Sequence, residues 1–574
     1  MKIKLSILII IAMMMAVVAG CAPAETDPDD PTTTTTTAAD TDTPDDETDV
    51  TDETTEPGME GPSWTWDTSP VTIDWYVHEG WYDKNWDADN VVTDAYITEL
   101  TGVTVNVTSG GEDERLNAMI ASDNLPDVVT LGWYFEQWPL MQTSGLLQPL
   151  MPLIDEHAPT FKDILPDSLV GWFTYDDGNL YGIPSFFWAE EHITEDNYLE
   201  TNDGIHVRED IMNQLDIRRE DFNTVEGALD AFRAVRDAEL VYDGHRVIPV
   251  NLGIEGGVGG GAIRILSNFF GIPPEDSEGN LIERQYDERF LEVLRFMNTI
   301  YREDLMSLDN FTMDRSHVEE QWASGAAFVL IDQISDYKAQ SQTLFNNDPD
   351  ARVIGAGPIR LESEDQPVHL NTRAMSGWTV SAIAHDAQDV DRIIRFFEYS
   401  YSDEGQVSHA YGVEGVTYEW EDGYIENTDE YNQALDEDSS AAAARYGHNN
   451  FWWFFNPPYH QLITRPPERP DSRITYDYDR YFAEYAFYDM AFSDLAPRGG
   501  TDEAALASEI DVYWSEQLPR MIMANSEAEM EAIWRDAVDT VYAMGYESVY
   551  EVRNERFQML KDRLDQDFAW PGNQ

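Results

Sequence analysis

Cysteine is almost absent: 574 residues contain one, Cys21. A single thiol excludes an intramolecular disulfide and a cysteine-based zinc site. Positive charge is also scarce, with 35 Lys and Arg (only six of them Lys) against 110 Asp and Glu, a net charge of −75. Nucleic-acid affinity comes from neutralising phosphates, so this balance argues against nucleic acid and against polyanionic substrates. Long apolar runs are limited to Leu5–Val18, 14 residues. That run is too short to span ~30 Å of hydrocarbon comfortably. There is no G-x-S-x-G, no H-E-x-x-H and no Walker-type loop. The glycine-rich 256–262 lacks a following Lys-Ser/Thr, and no glycine follows Asp or Asn at the spacing of an EF-hand loop. No cofactor and no metal centre is expected, although calcium in some other irregular loop stays open.

The two lysines of Met1–Lys4 ahead of the apolar run form a signal-peptide pattern. Val18-Ala19-Gly20-Cys21 then resembles the lipobox of bacterial lipoproteins, with Val in place of the commoner Leu. The resemblance implies cleavage before Cys21, a diacylglycerol on its sulfur and acylation of the new amino terminus. Each buried CH₂ contributes about 0.8 kcal/mol, so such a tether holds nearly irreversibly. Residues 22–68 carry 15 acidic residues, no basic ones and the run Thr32–Thr37. One sign of charge and low hydrophobicity read as a disordered stalk lifting a folded body off the membrane.

Without leader and stalk the body keeps 95 acidic and 33 basic residues, a net −62. A surface this acidic repels itself at low ionic strength and is screened by molar salt. The expectation is an organism of high salt or high pH. The body spans roughly 500 residues, too many for one core by the usual size rule. It is rich in aromatics, with 17 Trp and 28 Tyr in the chain.

Its first part alternates strand and helix signals. Residues 71–77 alternate, and 103–108 and the apolar run 126–132 follow as strands. Between them, 89–102 ends at Gly102, and 112–124 reads as a second helix. Strand-helix-strand-helix-strand implies a parallel sheet, with ligands beyond the carboxyl ends of its strands. The residues there are His78, Glu79 and Trp81 after the first strand, and Trp133, Tyr134 and Glu136 after the third. Further on, 224–237 reads as a helix capped by Thr224, 322–333 as a helix end, turn and buried strand, 353–359 as an extended run, 376–384 as a strand and 389–406 as one helix.

Several phrases, in order, resemble the extracellular solute-binding proteins of ABC importers, in the large oligosaccharide-type lipoprotein branch. They are Leu125-Pro126-Asp127, Gly178-Asn179-Leu180-Tyr181-Gly182-Ile183-Pro184, Arg208-Glu209-Asp210, Ser324–Ala327, Tyr401–Gln406 and Tyr411–Tyr418. The resemblance implies an α/β, two-lobe periplasmic-binding-protein-like fold of type II, closing over ligand in a cleft between lobes. It places crossings near Gly182–Phe187 and Gly355–Met375. The implied division is a leader at 1–20, anchor and linker at 21–68, and first lobe at 69–185. The second lobe follows at 186–370, then the first again at 371–435 and a helical remainder, mainly second lobe, at 436–574. It further implies a monomer on the outer face of the cell membrane, passing a carbohydrate to permease subunits without bond chemistry. A surface glycosidase and a lobe feeding a sensor are the alternatives.

Sugars take flat aromatic faces under their C–H faces and planar polar groups on their hydroxyls, among largely apolar walls. Trp133 and Tyr134 stand where the resemblance places a stacking aromatic. Phe186 and Trp188 follow the first crossing. Trp378 falls in a strand, so core and cleft are both open for it. Residues 449–460 pack six aromatics and two prolines into a loop, with Trp452 or Trp453 facing ligand or plugging the other lobe. His78, Glu79, Glu136, Asp332 and Gln333 are the polar candidates, and Arg208 is carried by its phrase.

Overall fold

A computed structural model describes residues 60–574 except 195–196, 254–259, 362–365, 373–375 and 567–574. The leader, Cys21, most of the stalk and most of the glycine-rich stretch lie outside the described residues. Nine strands build the two main sheets: β1 (Val71–Val77), β2 (Val103–Ser109), β3 (Val128–Gly132), β4 (Gly182–Pro184), β5 (Asp203–Arg208), β6 (Ile248–Leu252), β7 (Ala327–Gln333), β8 (Val353–Gly355) and β9 (Thr379–Ile383). The first sheet has the order β2-β1-β3-β9-β4 and the second β8-β5-β7-β6.

β1 lies parallel to β2 and β3, as the alternating strand and helix signals required. β3 is buried along its whole length, which fits a strand covered on both faces. The helix Val92–Thr101 ends at Gly102, φ +71°, where a Cβ would sit 2.2 Å from the Thr68 carbonyl oxygen. Only glycine tolerates both the left-handed turn and that approach. β9 is antiparallel to β3 and to β4, so a late strand completes the first sheet. In the second sheet β5 runs antiparallel to β7 and β8, and β6 parallel to β7.

Each sheet has its own core. Trp75, Val128, Val380 and Phe397 belong to the first, and Val207, Phe232, Val250 and Phe328 to the second. The residues after 436 divide between them. Phe451, Trp453, Phe454 and Met490 join the first core, whereas Phe482, Trp514 and Trp534 join the second. The last helix, Tyr546–Arg563, gives Tyr546 and Val549 to the second core and Phe557 and Leu560 to the first.

Two local expectations need correcting. The stretch 389–406 is two helices, Val390–Tyr401 and Asp403–Tyr411. Ser402 breaks them, its hydroxyl accepting from the Gly405 N–H as an N-cap. The end of the acidic stretch, assigned to the stalk up to 68, packs on the body. The Ser63 N–H donates to Thr160 Oγ1 (2.7 Å) and Glu398 Oε1 (3.2 Å), and Trp64 sits edge-on to Tyr399 at 5.0 Å. Two tryptophans in an otherwise polar run were the signal that averaging its composition concealed.

Candidate functional site

The strand directions gather four chain segments at one end of the first sheet. β1 and β3 end there, and Thr379 of β9 pairs with Gly132 while Val380 pairs with Pro184. Residues immediately beyond these points therefore meet: 78–81, 133–134, 185–186 and 377–378. The loop 449–456 joins them.

The result is an aromatic platform. The rings of Trp81, Trp378 and Trp452 are nearly parallel, with interplanar angles of 15°, 11° and 14° and centroids 5.2 to 5.9 Å apart. Phe186 stands edge-on to Trp452 at 5.6 Å and 81°. Its backbone is held at φ +59°, a costly conformation for a bulky residue, with its N–H donating to the Phe455 carbonyl at 2.7 Å. Polar atoms rim the rings. Trp81 Nε1 donates to Glu79 Oε2 (2.7 Å), Trp378 Nε1 to the Tyr134 hydroxyl (3.1 Å) and Trp133 Nε1 to the Gly377 carbonyl (2.7 Å). Gly377 has φ +82°, and a Cβ there would lie 2.8 Å from Pro184 Cβ and from the Ser185 carbonyl oxygen. Trp81 is 56% exposed and Tyr134 54%, an unusual display for residues this large. Burial raises the Glu79 carboxyl pKa, partly opposed by the Trp81 N–H, and burial also raises the Tyr134 pKa.

The corresponding end of the second sheet is polar and already paired. Asp203 opposes Gln333, and Gly204 opposes Asp332. Asp203, fully buried, accepts from Arg264 at 2.8 and 3.0 Å and from Asn268 at 3.1 Å. Asn268 also donates to Asn371, which donates to Asp489. Desolvation works against the Arg264 charge, but Asp203, with Asp332 and Asp336, more than offsets it and raises its pKa. Desolvation raises the Asp489 pKa against the hydrogen bonds from Thr372 and Asn371. The two ends are linked by neighbouring crossing segments, bridged at Phe187–Ser376 and Thr201–Thr372. The space between an aromatic end and a polar end is the candidate cleft.

Of the residues singled out from sequence, Glu79, Trp81, Trp133, Tyr134, Phe186, Trp378 and Trp452 come together. Gln333 reaches the polar end, where Asn202 donates to it at 2.8 Å. Others do not reach the cleft. Trp188 and Trp453 are core, 2% and 0% exposed. Trp453 packs edge-on to Tyr82 at 4.8 Å and, with its neighbour Phe454, belongs to the first core. His78 is buried between the Tyr76 hydroxyl (3.0 Å) and Asp113 (3.2 Å). Glu136 is exposed at the start of the helix Gln137–Thr143, without a side-chain partner among the described residues. The Asp332 carboxylate accepts from the Tyr337 hydroxyl and is wedged against Gly253 and Gly261, where a Cβ would lie 2.3 and 2.0 Å from its oxygens. Its surroundings are those of a packing residue of the second sheet.

Arg208 is at the wrong end. It closes β5 five residues beyond Asp203, about 17 Å away at ~3.3 Å per residue. There it forms two hydrogen bonds to Asp210 (2.8 and 2.6 Å) and one to the Gly325 carbonyl. Sequence reading missed Asp203, Arg264, Asn268, Asn371, Asp489 and Phe455. Asp203 opening a strand was visible; its pairing with Arg264 depended on the tertiary fold. Among the described residues no three His, Cys, Asp or Glu side chains stand close enough to hold a metal ion, and no helix is long and apolar enough to cross a membrane.

No family model and no curated protein sequence matches the chain. Solved structures do match. FusA, an ABC-transporter substrate binding protein of S. pneumoniae solved with kestose, is 15% identical with a TM-score of 0.63, covering 86% of this chain and 100% of its own. The alginate-binding protein AlgQ2 is 18% identical with a TM-score of 0.60, over 85% and 98%. An HMO-binding solute-binding protein of Bifidobacterium longum infantis is 14% identical with a TM-score of 0.60, over 86% and 99%. The chain therefore has the two-lobe α/β fold of ABC-transporter substrate-binding proteins.

Proposed function

We propose that this protein is the substrate-binding component of an ABC importer, capturing an oligosaccharide outside the cell and handing it to membrane permeases. The observation that carries the reading is the platform of Trp81, Trp378 and Trp452 at the cleft end of the first sheet. Three near-parallel indoles with one openly exposed suit the C–H faces of pyranose or furanose rings. Glu79, Tyr134 and the Asn-Asp-Arg network of the opposite lobe supply planar groups for hydroxyls. Hinge closure about the paired crossing segments would bring the two sets onto one ligand. The leader and Cys21 support a lipid anchor on the extracytoplasmic face, and the acidic surface supports life in strong salt.

A glycosidase needs two available carboxylates ~5 to 10 Å apart across its cleft. Here Glu79 is available, but at the polar end Asp203 is held by Arg264, Asp332 by Tyr337 and Asp489 by Thr372. The capture reading is therefore preferred. Calorimetric titration with a panel of oligosaccharides in molar salt tests it, each mixture being assayed afterwards for cleavage. Micromolar binding with the sugar recovered intact is expected; cleavage of any member would overturn the reading.

A further inference from the structure

Acidic residues outnumber basic ones about three to one in this chain, yet one cavity is lined by more basic than acidic residues. It lies behind Trp133, between the helix Asp167–Phe173 and the last helix, and its volume is about 40 Å³. Among the described residues, Arg498, Arg556 and Arg563 line it together with two carboxylates, Asp176 and Asp494. Arg556 and Arg563 are seven residues apart, so they share one face of the helix Tyr546–Arg563.

The carboxylates do not satisfy the guanidinium groups. Asp494 is shared, accepting from Arg556 at 2.5 Å and from Arg498 at 3.2 Å. Asp176, half-exposed, is 3.9 Å from Arg563, whose other nitrogen donates to the Thr174 carbonyl at 2.6 Å. Two further donors are shielded from solvent and have no hydrogen-bond partner among the described residues: the Trp172 indole N–H and the Arg498 Nε–H. Trp172 is 8% exposed, and both residues line the cavity. Buried donors without acceptors are rare and costly. The Arg556 pKa is lowered by burial, and the Arg498 charge lowers it further.

We propose that this cavity is a binding site for a small monovalent inorganic anion of the size of chloride. A water needs roughly 10–15 Å³ of such space, so the cavity admits one small ion with a water or two and no sugar ring. The ion accepts from the Trp172 and Arg498 donors and balances the third guanidinium. The overall negative charge does not prevent this, because charges beyond about 10 Å are screened at 0.1 M salt while the three guanidinium groups stand at the site itself. By joining the helix Asp167–Phe173 to the last helix, which serves both cores, the anion ties the first lobe to the carboxyl-terminal region.

The test uses the full chain at constant 1 M sodium, with gluconate replaced stepwise by chloride. A saturable rise in melting temperature of a few degrees is expected. Trp172→Phe, which keeps a ring and removes the N–H, and Arg498→Gln should each raise the half-saturating chloride concentration at least about tenfold, the value of one charge-assisted hydrogen bond. A chloride response unchanged in both variants would be a bulk salt effect and would overturn the proposal. Crystals grown in bromide give a second readout independent of stability. An anomalous peak within reach of Trp172 Nε1 and Arg498 Nε is expected; water alone, or the carboxylate of a bound sugar acid, would overturn it.

Discussion

The two strand ends that flank the candidate cleft are built on opposite plans. At the first sheet, large rings are displayed: Trp81 and Tyr134 are more than half exposed, and the Trp81 N–H and the Tyr134 hydroxyl each form a single hydrogen bond. At the second sheet, the buried Asp203 and Asp489 are joined to the partly buried Arg264, Asn268 and Asn371 in one chain of hydrogen bonds. Aromatic area costs little to leave in water, and a flat ring contacts ligand without reorganising. A buried charge cannot wait for ligand to complete it, because its desolvation must be offset in the free protein. The first end should therefore govern affinity, and the second should govern the stability and shape of its lobe.

Breaking the second end should have the largest effect. Arg264→Leu leaves the buried Asp203 uncompensated and should cost roughly 3–5 kcal/mol in urea denaturation. A loss under 1 kcal/mol would mean that water reaches Asp203. At the first end, Trp452→Ala or Trp81→Ala should weaken oligosaccharide binding by about 2 kcal/mol, roughly thirtyfold in Kd by calorimetry. Trp81→Ala should leave stability within about 0.5 kcal/mol, since that residue is mostly exposed. Equal losses of binding and stability would erase the distinction between the two ends.

Gly377→Ala probes the seam that positions Trp378. A side chain at φ +82° and 2.8 Å from Pro184 should cost about 1–3 kcal/mol of stability, with weakened binding. Arg208→Ala should lower stability through its lost hydrogen bonds and leave Kd unchanged, because it lies at the far end of β5. The smallest effect concerns pH. Burial raises the Glu79 pKa above its unfolded value, so the ionised form burdens the folded state, and its relief appears as pH falls through the folded pKa toward the unfolded one. Glu79→Gln should be neutral or slightly stabilising at pH 7, and the difference should vanish near pH 4. A Glu79→Gln protein that melts lower at pH 7 would contradict this sign.

Much of the first lobe was legible in advance because its signals are local. The alternation of 71–77, the helix stop at Gly102 and the apolar run before Gly132 each report backbone preference within a few residues. They placed Glu79, Trp81, Trp133 and Tyr134 at strand ends, where the structure puts them. The errors arose where neighbours in sequence part in space. Trp452 and Trp453 are indistinguishable as letters, yet one is in the platform and the other in the core. Arg208 and Asp203 share a strand, and only the antiparallel pairing of β5 with β7 shows which end faces the cleft.

By itself, the sequence determined the leader pattern at Cys21, the acidic character of the body, the α/β alternation and the wealth of aromatics from which a platform could be made. Those properties depend on composition and short-range periodicity. Tertiary structure alone decided which three tryptophans lie parallel, that Arg264 pairs with Asp203, and that three arginines of an acidic protein converge behind Trp133. These facts depend on contacts between residues up to several hundred positions apart, set by how β9 and the last helix return to the first lobe. No local propensity encodes such a return; it follows from burying two cores at once.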